Sequence, residues 1–217
     1  KNAVTAYNAP YDGTAHDAFT VGSLPSGWSA QYADSESGSY STTMPKVTNV
    51  SDSKTLWVKF SNSSYSDFVT SYSVSVTAKN ISGATITLND APTYNGSEQT
   101  ITINKIEVGS ITLTTGDYDI TSGNKATNVG ATTLKIAGKG NYTGTASTTW
   151  TLKKATPTAA DFTIPTLAAK DYTGSPITVP APTSSKNGIG ARTVKYADST
   201  TAPTNAGSYT VTFDVAE

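Results

Sequence analysis

The sequence predicts an all-β protein, and three observations lead to that prediction. Apolar and polar residues alternate with a period of two in several segments, which is typical of strands with one buried face. Turn-forming pairs such as Asn95-Gly96 separate these segments. Ser, Thr, Gly and Asn are abundant while only 14% of the residues are charged, a composition that suits exposed β-structure.

The clearest strand is the segment 209–215, in which every odd position is apolar and every even position is polar. Segments 133–137 and 55–60 follow the same rule. Aligned on a shared asparagine, the apolar positions of the three strands correspond: Leu56 and Val58, Leu134 and Ile136, Val211 and Phe213. Many short strands at this spacing predict a sandwich or a small barrel.

The chain also repeats itself. The motif Tyr-x-Gly-Ser/Thr recurs at intervals of roughly 80 residues, with its tyrosine and glycine at Tyr11 and Gly13, Tyr94 and Gly96, Tyr172 and Gly174. A second marker, Thr-Asn-Val/Ala, follows each copy, with its asparagine at Asn49, Asn128 and Asn205. Two markers with one period predict tandem modules, which we place at 1–79, 80–155 and 156–217.

We expect each module to be a small, immunoglobulin-like β-sandwich, with the modules arranged as an extended rod. The rod follows from the short linkers at 78–83 and 153–157, since short linkers restrict bending. A β-grasp-like variant is the alternative, because alternation predicts strands without fixing their order. The third module lacks a counterpart of the strands predicted at 71–77 and 149–153. We therefore expect it to be truncated at its C-terminal strand, or to close in a different way.

Composition argues against several classes of function. The net charge is −1 and Arg192 is the only arginine, so no basic stripe is present to bind nucleic acid. The sequence has no apolar run of about 18 residues, which argues against membrane insertion. It has no cysteine, so a thiol nucleophile is excluded. We expect a monomer without a cofactor.

The repeated motifs predict structural turns. Glycine supplies a backbone conformation with positive φ, and the tyrosine packs at the end of the sandwich. The alternative is that the three tyrosines form a row on which a ligand stacks. Because the motif recurs in every module, the structural interpretation is favoured.

Trp57 and Lys59 are the candidate ligand-binding residues. Leu56, Val58 and Phe60 share one face of their strand, so alternation turns Trp57 and Lys59 outward. An outward tryptophan offers a flat apolar surface on which a sugar ring can stack. The alternative is packing of Trp57 against a neighbouring module or a loop. Trp28 and Trp150 are in phase with apolar neighbours, and we expect both in the core.

Catalytic and metal-binding residues are not predicted. His16 is the only histidine, so a Ser-His-Asp triad would require it, and nothing in the sequence is expected to orient its ring. A single histidine without cysteines excludes metal sites built on these two residue types. The carboxylate pairs Asp34/Glu36 and Asp117/Asp119 could hold Ca²⁺, although we favour solvated loop charges. We therefore do not expect an enzyme.

The motifs together carry a family resemblance. They are Tyr-Asp/Asn-Gly-Ser/Thr, the Asn-Ala-Gly before Ser208–Thr212, and the turn Gly-x-Gly-Asn-Tyr-Thr-Gly at 138–144. This set resembles the glycine-rich bacterial surface repeats called MBG and YDG domains, which are related in style to bacterial immunoglobulin-like adhesin repeats. The resemblance covers three copies, and the first copy departs from it most, because 61–65 replaces the glycine-rich turn.

The resemblance implies a secreted or wall-attached bacterial protein at the extracellular cell surface. It implies non-catalytic repeats that serve as a stalk or as an adhesive surface for a host or surface glycan or a protein ligand. The alternative is a set of carbohydrate-binding modules that accompany an extracellular glycoside hydrolase.

Overall fold

The computed structural model describes residues 4–186 and 188–216. Strands and isolated β-bridges make up 47% of the described residues, so the predicted all-β class is confirmed. The helical segments of the described part are two single turns of 3₁₀-helix, at Val50–Asp52 and Ala159–Asp161. The chain divides into two compact units: the first is Lys1–Ala91, Thr100–Ala126 and Ala131–Thr151, and the second is Pro92–Gln99, Thr127–Gly130 and Leu152–Glu217.

The first part of the first unit contains eight strands. They are β1 (Val4–Ala6), β2 (Asn8–Pro10), β3 (His16–Asp17), β4 (Phe19–Val21), β5 (Trp28–Ala33), β6 (Lys46–Val47), β7 (Lys54–Asn62) and β8 (Tyr65–Thr77). The largest sheet has the order β2-β8-β7-β5, in which β2 runs parallel to β8 and the other pairs are antiparallel. Two small antiparallel sheets, β1-β4 and β3-β6, complete this part.

The alternating pattern of these strands produces a core. Leu56 and Val58 of β7 are fully buried, as predicted from their apolar positions, and Val74 of β8 is 1% exposed. They pack in one cluster with Phe19 and Tyr32, and all its buried members lie between Val4 and Val76. Burial of one face of the large sheet stabilises this part of the chain.

The remainder of the chain up to residue 152 contains ten strands. They are β9 (Lys79–Asn80), β10 (Thr85–Leu88), β11 (Gln99–Thr100), β12 (Ile103–Val108), β13 (Ile111–Thr112), β14 (Tyr118–Ser122), β15 (Lys125–Ala126), β16 (Gly130–Gly138), β17 (Tyr142–Thr143) and β18 (Thr145–Leu152). The sheets β10-β12-β13 and β14-β16-β18 have three strands each. A second core cluster includes Ile81, Ile106, Ile136 and Tyr142.

The segment predicted as the first linker is itself paired. β9 lies at residues 79 and 80 and runs parallel to β17, with Lys79 opposite Tyr142 and Asn80 opposite Thr143. The backbone that leads from the first predicted module into the second is therefore held in a short ladder.

The second unit contains less regular structure. Its strands β19 (Arg192–Tyr196) and β20 (Val211–Val215) form an antiparallel pair. Leu152 and Tyr196 are its buried hydrophobic side chains in the described part, whereas Ile164 and Leu167 are more than half exposed. The Tyr196 hydroxyl accepts a hydrogen bond from the Val179 N–H at 2.7 Å.

The division into three modules stays a prediction. The first unit takes in most of the first two predicted modules, and each of its core clusters draws its buried residues from one of them. The second unit combines the third predicted module with residues 92–99 and 127–130. Among the described residues, no helix is both long and apolar enough to cross a membrane.

Candidate functional site

The three copies of Tyr-x-Gly-Ser/Thr form the same type of turn. In each copy a backbone N–H donates to the side-chain oxygen two residues earlier: Thr14 to Asp12 at 2.9 Å, Ser97 to Asn95 at 3.0 Å, and Ser175 to Thr173 at 3.4 Å. The intervening glycines have φ values of +84° at Gly13, +89° at Gly96 and +74° at Gly174. This is the left-handed conformation that glycine adopts without steric cost, so the local sequence explains the turn.

The tyrosines of the three turns differ in their surroundings. Tyr11 and Tyr94 are half-buried, whereas Tyr172 is 67% exposed. Tyr11 packs edge-on against Tyr142, with 5.4 Å between the ring centroids. The same motif therefore contributes to packing in some copies and leaves its tyrosine in solvent in another.

His16 lies beside the first turn, and its environment corrects the expectation that nothing orients it. The imidazole Nε2 lies 2.9 Å from Thr14 Oγ1 and 2.9 Å from Asp12 Oδ2. The ring also stacks on Tyr7, with 4.5 Å between centroids. Sequence reasoning missed this cluster, although Gln99 at the matching position of the second copy also donates to its turn residue, Asn95, at 2.5 Å.

The geometry of His16 does not match a Ser-His-Asp triad. In a triad the two ring nitrogens have separate partners, one the nucleophile and the other the carboxylate. Here Asp12 and Thr14 both approach Nε2. The N–H of Thr14, the His16 ring and the Thr14 hydroxyl lower the pKa of Asp12 to about 2. This cluster can stabilise the turn, but it does not activate the Thr14 hydroxyl as a nucleophile.

An asparagine pair joins the two parts of the first unit. Asn141 Nδ2 donates to Asn49 Oδ1 at 2.8 Å, and the Val50 N–H donates to Asn141 Oδ1 at 2.9 Å. Both amide groups of the pair are half-buried. Asn49 belongs to the second repeated marker and Asn141 to the turn at 138–144, so two sequence motifs meet at this contact. We call it the Asn49–Asn141 junction.

Further contacts surround this junction. The Asn141 carbonyl accepts from the Lys79 N–H at 2.9 Å, within the β9–β17 ladder. Tyr142 is 4% exposed, and burial raises the pKa of its hydroxyl to about 12. On the other side, the Asp52 carboxylate accepts the N–H of Asn49 at 2.8 Å, and this bond is the main reason that the pKa of Asp52 is lowered. The β9–β17 ladder, the Asn49–Asn141 amide pair and the Tyr11–Tyr142 ring contact therefore all involve the short segment 141–143.

Trp57 and Lys59 lie together on the face of β7 opposite the core, as alternation predicts. Trp57 is half-buried between its strand partners Ala33 and Ser71. The Lys59 ammonium lies 4.8 Å from the centre of the Tyr40 ring. Trp57 is therefore less accessible than an exposed stacking platform requires, and its role as a ligand residue stays a prediction.

A more exposed set of aromatic side chains lies at the end of the same sheet, on its other face. Trp28 stacks on Tyr65 with 5.9 Å between centroids, and Phe60 on Phe68 with 6.2 Å. Tyr65 is 69% and Phe68 59% exposed. The prediction that Trp28 lies in the core is wrong: the strands extend beyond the core, so Trp28 is half-buried there. Trp150, in contrast, is buried and donates from Nε1 to the Gly123 carbonyl at 2.7 Å.

Sequence reasoning missed this surface, which we call the aromatic patch. It comprises Trp28, Phe60, Tyr65 and Phe68. Part of the signal was present in the alternation, because Phe68 has the same parity as Tyr72 and Val74 in β8. Tyr65 has the opposite parity, and the register shift between Phe60 and Asn62 brings it to the same end of the sheet. Alternation predicts on which face of the sheet a side chain lies, but it does not show where the layer that covers this face ends.

The second unit contains an open groove of about 600 Å³. Tyr94 and Asn128, from the second copies of both markers, line it together with Lys154 and Lys186. The Lys186 ammonium lies 3.8 Å from the Asp161 carboxylate, which also lines the groove. Asn205, the third copy, is exposed. The groove therefore carries copies of both repeated markers beside one Lys–Asp ion pair.

Three of the four carboxylates considered for Ca²⁺ have other partners in the structure. Asp34 pairs with Lys54 at 2.7 Å, Asp119 with Lys139 at 2.6 Å, and Asp117 accepts the Thr114 N–H at 2.7 Å. Within the described residues, no group of three or more metal-binding side chains is close enough to hold an ion. These pairs therefore act as loop and surface contacts.

A comparison with protein-family models found no match, and a comparison with curated proteins found no similar chain. The resemblance to bacterial surface repeats thus rests on the sequence motifs, and the function of the site rests on its geometry.

Proposed function

We propose that this chain is a non-catalytic stalk or adhesion region of a secreted or wall-attached bacterial surface protein. In this proposal, immunoglobulin-like modules follow one another as an extended rod. The observation that carries it is the Asn49–Asn141 junction, in which repeat motifs themselves make the contact. A stalk requires consecutive modules to hold a defined orientation, and hydrogen bonds between half-buried amides favour one orientation.

The composition supports the same proposal. The outer faces of the strands carry Ser, Thr and Lys, which keep an exposed β-protein soluble without strong charge. Repeated modules can also present low-affinity surfaces whose combined affinity rises with copy number. A host or surface glycan, or a protein, is the proposed class of ligand.

Small-angle X-ray scattering tests the rod. A compact globule of this length has a radius of gyration of about 17 Å. We expect a clearly larger radius and a scattering profile with the slope of an elongated particle. A radius near the globular value, unchanged with protein concentration, would contradict the proposal.

The aromatic patch supports a second candidate function, carbohydrate binding as an ancillary part of an extracellular glycoside hydrolase. Tyr65 offers an exposed ring beside Trp28, and sugar rings stack on such surfaces. Affinity electrophoresis on a panel of polysaccharides tests it. We expect Tyr65→Ala to abolish retention, whereas loss of retention in Trp57→Ala alone would assign binding to Trp57 and not to the aromatic patch. Absence of retention on every polysaccharide argues against this function.

A further inference from the structure

A strand near the start of the first predicted module runs parallel to its last strand. β2 and β8 pair over three residues, with Asn8 opposite Ser75, Ala9 opposite Val76 and Pro10 opposite Thr77. The Ser75 N–H donates to the Tyr7 carbonyl at 3.0 Å, and the Tyr11 N–H donates to the Thr77 carbonyl at 2.8 Å. These bonds lie at the two ends of the pair, so the ladder runs without a break from Tyr7 to Tyr11.

The same pairing recurs in the second unit. Thr93 lies opposite Lys153 in a parallel bridge. The Tyr94 N–H donates to the Lys153 carbonyl at 2.9 Å, and the Lys153 N–H donates to the Pro92 carbonyl at 3.1 Å. Tyr94 and Tyr11 are the tyrosines of the second and first copies of the repeated motif. In both copies the motif tyrosine therefore donates to the residue at which the last predicted strand of its module ends.

A parallel pair resists tension along the chain in a direction-dependent way. The chain enters β2 at Asn8 and leaves β8 at Thr77, and these two residues lie at opposite ends of the ladder. Tension between them pulls the strands past each other, so it loads all the hydrogen bonds of the pair together. In the antiparallel pair β7–β8, tension between Lys54 and Thr77 would instead open the bonds one after another from one end. Because a single hydrogen bond contributes little to stability, simultaneous loading gives the greater resistance.

The end of β8 is also held from its other side. The Val76 N–H donates to Ser53 Oγ at 2.9 Å, and the Ser53 hydroxyl donates to the Val76 carbonyl at 3.2 Å. Across the pair, the Ser75 hydroxyl donates to Asn8 Oδ1 at 2.6 Å. Val76 itself is buried and belongs to the first core cluster. β8 therefore cannot slide past β2 without breaking side-chain hydrogen bonds and core contacts as well.

We propose that this chain carries tensile load along its length, and that two parallel pairs bear that load: residues 8–10 with 75–77 in the first unit, and Thr93 with Lys153 in the second. We call the first of these the β2–β8 clamp. The inference rests on the proposed stalk function, because a stalk transmits the pull between a surface and the ligand that it holds. It adds that the resistance depends on the direction of pulling. Scattering tests the rod and force tests the clamp, so either can fail without the other.

The test measures the unfolding of single molecules of the full chain at constant force in optical tweezers. The chain has no cysteine, so two introduced cysteines fix the points of attachment. Asn8→Cys with Thr77→Cys attaches the handles at opposite ends of the clamp and shears it. Pro10→Cys with Thr77→Cys attaches them at facing residues and opens the clamp bond by bond. All three positions are exposed, and a reducing buffer prevents a disulfide between the two thiols.

At the same force, we expect unfolding in the shearing direction to be at least about tenfold slower than in the opening direction, since several hydrogen bonds must break together. The two pairs of attachment points enclose almost the same length of chain, so the extension gained on unfolding identifies the same event in each. Urea unfolding without force is the control. It should give both double variants a similar free energy of unfolding, because chemical stability has no direction.

Two matched serine substitutions test how β8 is anchored. With the shearing attachment, Ser53→Ala removes the hydroxyl that bonds to Val76 and should speed unfolding by about fivefold or more. Ser51→Ala makes the same change two residues earlier, at an exposed position in the 3₁₀ turn Val50–Asp52, and should leave the rate unchanged. Equal effects of the two substitutions would overturn the anchoring of β8 by Ser53.

Equal unfolding rates in the two directions would overturn the proposal, and so would faster unfolding in the shearing direction. An elongated particle with equal rates would refute the clamp and leave the stalk function standing. A globular radius of gyration with direction-dependent rates would refute the rod and leave the clamp standing.

Discussion

At the scale of single residues, Asn141 is the side chain on which the junction in the first unit depends most. Its amide both donates to Asn49 and accepts from the Val50 N–H. An amide of this kind can satisfy a donor and an acceptor at once, which a hydrophobic residue of similar size cannot. The consequence is that its removal leaves two polar groups without their partners.

We expect Asn141→Ala to lower the free energy of unfolding of the first unit by about 1–3 kcal/mol, because half-buried polar groups lose their hydrogen bonds. Denaturant unfolding followed by tryptophan fluorescence measures it. Asn104→Ala, at an exposed position of the same unit, is the control and should change the free energy by less than about 0.5 kcal/mol. Equal effects of the two substitutions would contradict the role of the junction.

Asp12 leads to a prediction about pH. Its pKa in the folded chain is lowered from 3.8 to about 2, first by the Thr14 N–H and then by His16 and the Thr14 hydroxyl. A group with a lowered folded pKa stabilises the fold fully above its unfolded pKa, and this contribution is lost as pH falls towards the folded pKa. The stabilising contribution of the Asp12 carboxylate is therefore lost as pH falls from about 4 to about 2.

Carbon-13 titration of the Asp12 carboxyl should therefore give a midpoint near 2. Thr14→Val removes the hydroxyl while keeping the N–H, so it should raise the midpoint only in part. A midpoint at the ordinary value for aspartate would show that the turn does not form in solution.

At the scale of elements, close approach of backbones decides which turns tolerate a side chain. Gly123 follows β14 with φ +76°, and a Cβ there would overlap the carbonyl oxygen of Thr133 in β16. Its own carbonyl accepts the Trp150 Nε1–H. Gly109, between β12 and β13, has φ +62°, but a Cβ at this position would meet no described atom within 4 Å.

We expect Gly123→Ala to lower the free energy of unfolding by more than about 4 kcal/mol, because both the backbone angle and the contact with Thr133 oppose it. Gly109→Ala should lower the free energy of unfolding by about 1–2 kcal/mol, because only the positive φ at this position disfavours alanine. Urea unfolding of the two variants measures the difference. Similar costs would show that the sheet adjusts around Gly123.

At the scale of the whole molecule, the two units differ in how much apolar surface they bury. Most of the buried hydrophobic residues of the first unit form two clusters, whereas Leu152, Pro182 and Tyr196 are the buried apolar residues of the second in the described part. Stability follows buried apolar area, so the second unit should open first.

All three tryptophans, Trp28, Trp57 and Trp150, belong to the first unit. We therefore expect amide protection in β19 and β20 to be lost at a lower urea concentration than the tryptophan fluorescence transition. Residue-resolved hydrogen exchange at increasing urea, beside fluorescence, checks this. Coincident transitions would mean that the two units unfold together.

The all-β class and several strands could be predicted from the sequence, because alternation is a local property of the chain. Segments 133–137 and 55–60 lie within β16 and β7, and their apolar positions at Leu56, Val58, Leu134 and Ile136 are buried as predicted. The turns at the repeated motif were also predictable, since glycine and its Asx or Thr neighbour fix the backbone within four residues.

The candidate sites were less predictable, because they depend on residues far apart in the chain. Asn49 meets Asn141, His16 lies on Tyr7, and the aromatic patch combines residues of three strands. Periodicity assigned Trp28 to the core because it contains no information on where the covering layer stops.

By itself, the sequence determined the strands, their buried faces and the repeated turns, because short-range sterics and alternation decide these features. Only the tertiary structure decided which copies of a motif are engaged in packing. The copies of the motif at Tyr11 and Tyr172 differ in the burial of their tyrosines, because packing depends on which residues the rest of the chain places beside them.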